Sequence, residues 1–208
     1  MAFPIARHLS VPFFRWRVAS AEGLGNIPRT GPALLVANHV GQQDPLLLTY
    51  AILRATGGRA PHTIAKWKIF HSQFTQDWLG TIPLYPDRKQ TVARSEALLR
   101  SDELVLVYPE ARINPLPTIG KVKTGAARLA VATRVPVIPI GLTRTNTPPQ
   151  SELGHTLDMF LGRVRIRVGQ PLDLSRWYDR PVDKVLLDEV SAAIMTPVAA
   201  LAGKTYSP

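Results

Sequence analysis

Ala33-Leu34-Leu35-Val36-Ala37-Asn38-His39-Val40-Gly41-Gln42-Gln43-Asp44-Pro45 is the stretch on which the reading of the fold turns. A five-residue apolar run closed by polar residues has the length and character of a strand buried on both faces. A short, mostly polar turn comes next. Asp44-Pro45 then opens a Leu-rich pattern, Pro45 to Ala55, that predicts a helix. Buried strand, turn and helix make the unit of an α/β domain.

Working outward, the unit recurs. Apolar runs predict strands at His62 to Ala65, Ile82 to Tyr85, Leu104 to Tyr108 and Val137 to Leu142. Helical patterns lie near Ile69 to Leu79, Thr91 to Leu99 and Thr124 to Thr133. Val164 to Val168 alternates Val164, Ile166 and Val168 with Arg165 and Arg167, as a strand with one solvated basic face does. Val185 to Leu201 reads as a closing helix that Pro197 ends or kinks. Pro148 and Pro149 mark a surface connection, because the remaining chain beyond them is too short to bury a core of its own. The expected class is α/β: one domain, with a mixed, largely parallel sheet flanked by helices.

Composition limits function. A chain of 208 residues, 45% of them hydrophobic, suits one core. The absence of cysteine excludes a disulfide framework, a thiolate metal site and a Cys nucleophile, and so permits the cytoplasmic side of a membrane. A net charge of +10 points to an anionic partner. Charges or prolines interrupt every apolar run, so no spanning helix is expected. Met1 to Ala21 mixes Phe3, Ile5, Phe13, Phe14 and Trp16 with Arg7, Arg15 and Arg17, without the apolar core and cleavage site of a signal peptide. It reads either as an interfacial segment lying on anionic lipid, ahead of a domain spanning 22–208, or as a helix packed on that domain.

The sharpest chemical feature is Asn38-His39-Val40-Gly41-Gln42-Gln43-Asp44, where a buried strand gives way to a helix. If the turn brings Asp44 back to the imidazole, the carboxylate accepts a ring N–H, fixes the tautomer and makes His39 a general base. The plain alternative is that Asp44 and Pro45 are a helix N-cap and first-turn pair. No serine or threonine lies close in sequence, so the nucleophile would be a hydroxyl of the substrate.

A second strand, Leu104 to Tyr108, runs into Pro109-Glu110-Ala111-Arg112. Arg112 is suited to gripping a phosphate, and Glu110 to orienting that arginine or accepting from a substrate hydroxyl. Gly80 to Arg88 repeats the arrangement and ends on another cation, Arg88. Lys121 and Lys123 precede a helix start, where backbone N–H groups also attract anions. Each cation taken alone reads more simply as solvated surface charge. Trp67, Phe70, Phe74, Trp78 and Leu79, at helical spacing, read as core in preference to an acyl tunnel.

Taken in order, Asn38-His39 with Asp44, Gly80 to Arg88, Tyr108-Pro109-Glu110 and Val135-Pro136-Val137-Ile138-Pro139-Ile140-Gly141 resemble the four sequence blocks of the glycerolipid acyltransferase family, the 1-acylglycerol-3-phosphate acyltransferases among them. The resemblance spans about Asn26 to Leu142 and extends to Gly31-Pro32 and Lys123 to Ala130. It implies the fold of that family, with His39 as base and Asp44 as its orienter. It also implies Arg88, Glu110 and Arg112 at the glycerol phosphate end, with Asn38, Gly80, Pro109 and Pro139 as motif positions. The donor it implies is an acyl-CoA or acyl carrier protein thioester. The implied acceptor is a lysophospholipid, with neither metal nor other cofactor, on an anionic membrane surface at the cytoplasmic face. One departure stands out: the third block of the family is usually Phe-Pro-Glu-Gly-Thr-Arg, and here it is one residue shorter, with Ala111 in place of glycine. If that glycine has positive φ, Ala111 opposes the turn that carries Arg112. The run before the first block also leaves little room for a membrane-docking helical hairpin.

Three rivals arise from the same residues. One is the same chemistry on an amino-lipid, a glycolipid or a specialised metabolite. The second is a nucleic-acid-binding module, suggested by Arg163, Arg165 and Arg167, but no recognition motif or aromatic stacking platform accompanies the charge, so nucleic acid is not an expected partner. The third is a non-catalytic protein that binds anionic lipid, which the intact His39 and Asp44 argue against.

Overall fold

The computed structural model describes residues 15–66, 80–145 and 162–208. In chain order its strands are β1 (Val18–Glu22), β2 (Ala33–Ala37), β3 (His62–Lys66), β4 (Thr81–Leu84), β5 (Leu104–Val107), β6 (Thr118–Ile119), β7 (Val137–Arg144), β8 (Val164–Val168) and β9 (Thr205–Tyr206). The helices are α1 (Asp44–Thr56), α2 (Arg88–Arg100), α3 (Gly125–Thr133) and α4 (Lys184–Leu201). The expected helix over Ile69 to Leu79, the connection at Pro148 and Pro149 and the chain before Arg15 lie outside the described residues.

Among the described residues, seven strands form one sheet in the order β1-β8-β7-β2-β5-β3-β4. The pairs β7–β2, β2–β5, β5–β3 and β3–β4 are parallel, and β8 runs antiparallel to β7. The sheet is therefore mixed and mostly parallel, with helices on both faces, in a single domain. β2 lies near its middle, and every one of its five residues is buried. Ala33, Leu35 and Ala37 face Leu47, Leu48, Ala51 and Ile52 of α1. Leu34 and Val36 face the other layer, made by α3, α4 and Leu99 of α2. An unbroken apolar run is what a strand covered on both faces requires.

The basic strand alternates as its sequence predicts: Val164, Ile166 and Val168 are buried, while Arg165 and Arg167 are exposed. Two features differ from expectation. Residues 18–21, assigned by sequence to an N-terminal segment, belong to β1, which pairs parallel with β8 at the sheet edge, so a boundary after Ala21 falls inside a strand. Its sequence, Val-Ala-Ser-Ala-Glu, has one β-branched residue and is only partly covered, so backbone pairing holds it more than burial does. Just before it Arg17 is almost wholly buried and donates from Nε to Gly162 O at 2.8 Å. Second, of the two outcomes expected at Pro197, an end to the helix is not the one found, since α4 continues to Leu201.

Pro139 sits inside β7, where a ladder N–H is lost. Its carbonyl accepts from Gly169 N at 2.9 Å, just past the end of β8, so the missing donor faces a place where the ladder has already stopped. Two residues on, the end of α4 rests directly on the strand backbone: a Cβ on Gly141 would lie 2.3 Å from the Leu201 carbonyl carbon and 2.4 Å from Ala202 N. Neither neighbour is a flexible side-chain end. Gly141→Ala is expected to destabilise the fold by about 3 kcal/mol, read as a lower urea midpoint. An unchanged midpoint would mean that α4 is not seated there.

Candidate active site

Parallel α/β sheets place their sites at the carboxyl ends of the strands, where loops from neighbouring strands converge. Here the ends of β2, β5 and β7 meet. The Asn38 side chain, fully buried, continues the ladder beyond the end of β2. Its Nδ2 donates to Leu142 O at 3.0 Å, and its Oδ1 accepts from Leu142 N at 2.7 Å. Only a side-chain amide offers a donor and an acceptor in that geometry, which is the physical reason for asparagine at this position.

His39 is next in the chain, with both main-chain groups engaged by the loop after β5. Its N–H donates to Glu110 Oε1 at 2.9 Å, and its carbonyl accepts from Asn114 N at 2.7 Å. Asn114 Nδ2 in turn donates to Glu110 Oε2 at 2.6 Å. Lys204, beyond α4, donates to the carbonyls of Asn114 and Leu116, both at 2.7 Å. Burial lowers the Lys204 pKa, and the charges of Glu110 and Asp44 oppose that shift. The pairing of β6 with β9 closes the same loop from behind.

The Asp44 carboxylate lies against the imidazole. Asp44 is the first residue of α1, whose N-cap is Gln43, and its side chain turns back into the preceding loop. Oδ2 accepts from Val40 N at 2.6 Å and Gly41 N at 2.8 Å, and lies 2.9 Å from His39 Nδ1. The carboxylate is buried, while the imidazole keeps 18% of its side-chain surface. With Nδ1 facing a carboxylate, Nδ1 carries the proton and Nε2 is the basic nitrogen. The Tyr108 ring packs on the imidazole, with centroids 4.7 Å apart. Arg144, at the end of β7, donates from Nη1 to Val40 O at 2.8 Å; burial lowers its pKa, and the Asp44 charge partly restores it. Gly41 packs beside this group: a Cβ there would come within 2.9 Å of Arg144 Nη1, the end of a flexible side chain that could shift to admit it.

The remaining residues singled out by sequence are spread more widely. Glu110 braces His39, with each carboxylate oxygen already accepting one hydrogen bond. Arg112 is exposed on the same loop, and Lys121 and Lys123 are exposed beside it, tied by Lys123 N donating to Pro109 O at 2.9 Å. Pro109 is buried. Arg88 stands at the far edge of the sheet, donating from Nη1 to the carbonyls of Leu84 and Tyr85 at 3.3 and 2.8 Å. Gly80, with φ 60°, turns the chain into β4. Asn114, Arg144 and Lys204 escaped the sequence reading. Arg144 and Lys204 reach main-chain carbonyls distant in sequence, and Asn114 reaches the His39 carbonyl through its own N–H, so no local pattern announces them.

A family model described as acyltransferase matches residues 19–143, more than half of the chain. The chain belongs to that family. Within it, the chain is 30% identical over 177 residues to the chloroplastic 1-acyl-sn-glycerol-3-phosphate acyltransferase LPAT1 of Arabidopsis thaliana, a match covering 79% of this chain and 46% of the relative. It is 29% identical over 173 residues to the chloroplastic 1-acyl-sn-glycerol-3-phosphate acyltransferase BAT2 of Brassica napus, covering 77% and 46%. The chain thus spans about half the length of the curated relatives it matches. The crystal structure of the 1-acyl-sn-glycerophosphate acyltransferase PlsC from Thermotoga maritima shares the fold, with a TM-score of 0.63 at 20% identity over 94% of this chain and 77% of that one.

The turn after β5 places a positive φ on an alanine. Ala111 adopts φ 56°, in the left-handed region. A non-glycine residue there is strained by about 1–2 kcal/mol, part of which is offset by the smaller entropy that alanine loses on folding. Ala111→Gly is therefore expected to stabilise the protein by up to about 1 kcal/mol, measured by urea unfolding. A loss of stability would show that the strain is absent.

Proposed function

We propose that this protein transfers a fatty acyl group from a CoA or acyl carrier protein thioester to the free hydroxyl of 1-acylglycerol-3-phosphate, at an anionic membrane surface facing the cytoplasm. The observation that carries the proposal is the buried Asp44 carboxylate 2.9 Å from Nδ1 of a partly exposed His39. Family membership and the names of the relatives support the same reading. The imidazole makes no hydrogen bond to a serine or threonine hydroxyl among the described residues, which fits direct attack by the acceptor without an acyl-enzyme. Among those residues, no helix is long and apolar enough to cross a membrane.

In this mechanism His39 Nε2 takes the proton of the acceptor hydroxyl as its oxygen attacks the thioester carbonyl. Asp44 accepts the Nδ1 proton in a hydrogen bond and stabilises the imidazolium. The tetrahedral intermediate collapses, the C–S bond breaks, and the thiolate takes the proton from Nε2. An ester and a free thiol result, and the imidazole is neutral again. Arg112, Lys121 and Lys123 form the cationic rim nearest the β5 loop and receive the acceptor phosphate. Arg88, spent in part on carbonyls and set at the sheet edge, has a lesser share.

Thiol release from a long-chain acyl-CoA, and then from acyl carrier protein, tests the proposal on anionic vesicles with and without the lysolipid. Release is expected to require the acceptor and to fall at least about a hundredfold in His39→Ala, with circular dichroism unchanged. Undiminished release by the variant would remove His39 from the chemistry. Preference for uncharged acceptors over the phosphate would refute the role given to the cationic rim.

A further inference from the structure

Among the described residues, six large apolar residues are exposed: Trp16, Leu46, Ile113, Leu116, Val182 and Val185. Scattered singly, such residues are ordinary on a protein surface. Here the sheet sorts them. β8 runs antiparallel to β7 and pairs Val164 with Arg144, and β1 pairs Val18 with Val164, so Trp16, just ahead of β1, stands at the same end of the sheet as His39. Leu46 is in the first turn of α1, close behind Asp44. Ile113 and Leu116 lie on the loop after β5, on either side of Asn114, whose N–H holds the His39 carbonyl. The other two, Val182 and Val185, stand at the start of α4, a few residues past Tyr178. The Tyr178 carbonyl accepts from Arg134, just ahead of β7, which places them at the opposite end of the sheet.

Charge is sorted the same way. At the far end cations are matched by acids, in the pairs Arg100–Glu96, Arg134–Asp179 and Arg180–Glu189. At the His39 end Arg112, Lys121 and Lys123 are exposed, with no carboxylate partner among the described residues. Arg163, exposed as well, donates from Nε to Trp16 O at 3.0 Å. Asp44 and Glu110 are turned inward on His39, and the exposed Asp87 caps α2 at the outer edge of the sheet. Apolar side chains projecting among unmatched cations suit the headgroup layer of an anionic bilayer, where they sink beneath the phosphates that the cations hold.

We propose that the face carrying Trp16, Leu46, Ile113 and Leu116, with its neighbouring cations, is a bilayer-docking surface that brings the His39 end of the sheet down on anionic lipid. The proposal rests on the membrane reading given above and adds to it the face that makes contact. The lysolipid then reaches His39 without leaving the headgroup layer, its phosphate already among Arg112, Lys121 and Lys123. A protein partner seated on the same face would instead stand between the imidazole and its lipid.

Co-sedimentation with vesicles of phosphatidylcholine containing about one third phosphatidylglycerol tests this without turnover. Ile113→Ser with Leu116→Ser is expected to weaken binding at least about tenfold and Leu46→Ser about threefold, whereas Val182→Ser with Val185→Ser changes it by less than about twofold. Circular dichroism is expected to be unchanged in all of them; should the loop variant lose its fold, Leu46→Ser reads the same face from a different element. Equal binding by the variants of the two ends would overturn the proposal. Unaltered protein that stays in the supernatant would overturn it together with the membrane reading, and thiol release with a dispersed short-chain lysolipid would still decide the acyl-transfer reading separately. A dimer in sedimentation equilibrium that Leu116→Ser dissolves would assign the face to a second copy of the chain and overturn the proposal as well.

Discussion

One buried negative charge shapes the head of β2. Sequestering a carboxylate from water costs several kcal/mol even after relaxation. Each hydrogen bond to such a group contributes about 1.5–3 kcal/mol, so the three on Asp44 Oδ2 are of the size needed to offset that cost. Two of the three come from the main chain of Val40 and Gly41, which must fold back over the start of α1 to supply them. The loop is therefore shaped chiefly by Asp44, and His39 is held within a frame that does not depend on its own ring. Gly41 and Arg144 answer to the same constraint, one by leaving room and the other by tying the Val40 carbonyl to β7.

A second frame meets the first. Glu110 and Asn114 take the N–H and the carbonyl of His39, so the residue is pinned from the β5 loop as firmly as from its own. The Asn38 amide adds a connection to β7. Three strand ends thus converge on one main-chain segment. Convergence of this kind gives a rigid scaffold beneath a partly exposed imidazole.

How much of this was legible in the sequence depends on the range of each interaction. Ala33 to Ala37, Leu104 to Val107 and Val164 to Val168 declare themselves because burial writes a local pattern into their side chains. β1 does not, since an edge strand of small residues is held by backbone pairing with β8, far along the chain. At the site, the spacing of His39 and Asp44 is a local geometry and could be read as such. Asn114 grips His39 through its main-chain N–H, and Lys204 grips carbonyls about 90 positions away, so the neighbourhood of neither residue points to its partner. Ala111 illustrates a further limit: side-chain chemistry argues against positive φ, and the surrounding hydrogen bonds impose it.

The brace made by Lys204 and β9 also bears on biogenesis. Lys204 grips carbonyls 90 and 88 positions earlier in the chain, and Thr205 and Tyr206 pair with Thr118 and Ile119. A nascent polypeptide that has emerged as far as β8 already holds the imidazole and its carboxylate, yet the loop that grips the histidine backbone still lacks its rear support. Long-range closures of this kind form late, because the entropy of joining distant segments has to be met first. The order of synthesis therefore withholds a fully assembled site until α4 has docked, when the sheet and both helical layers are in place.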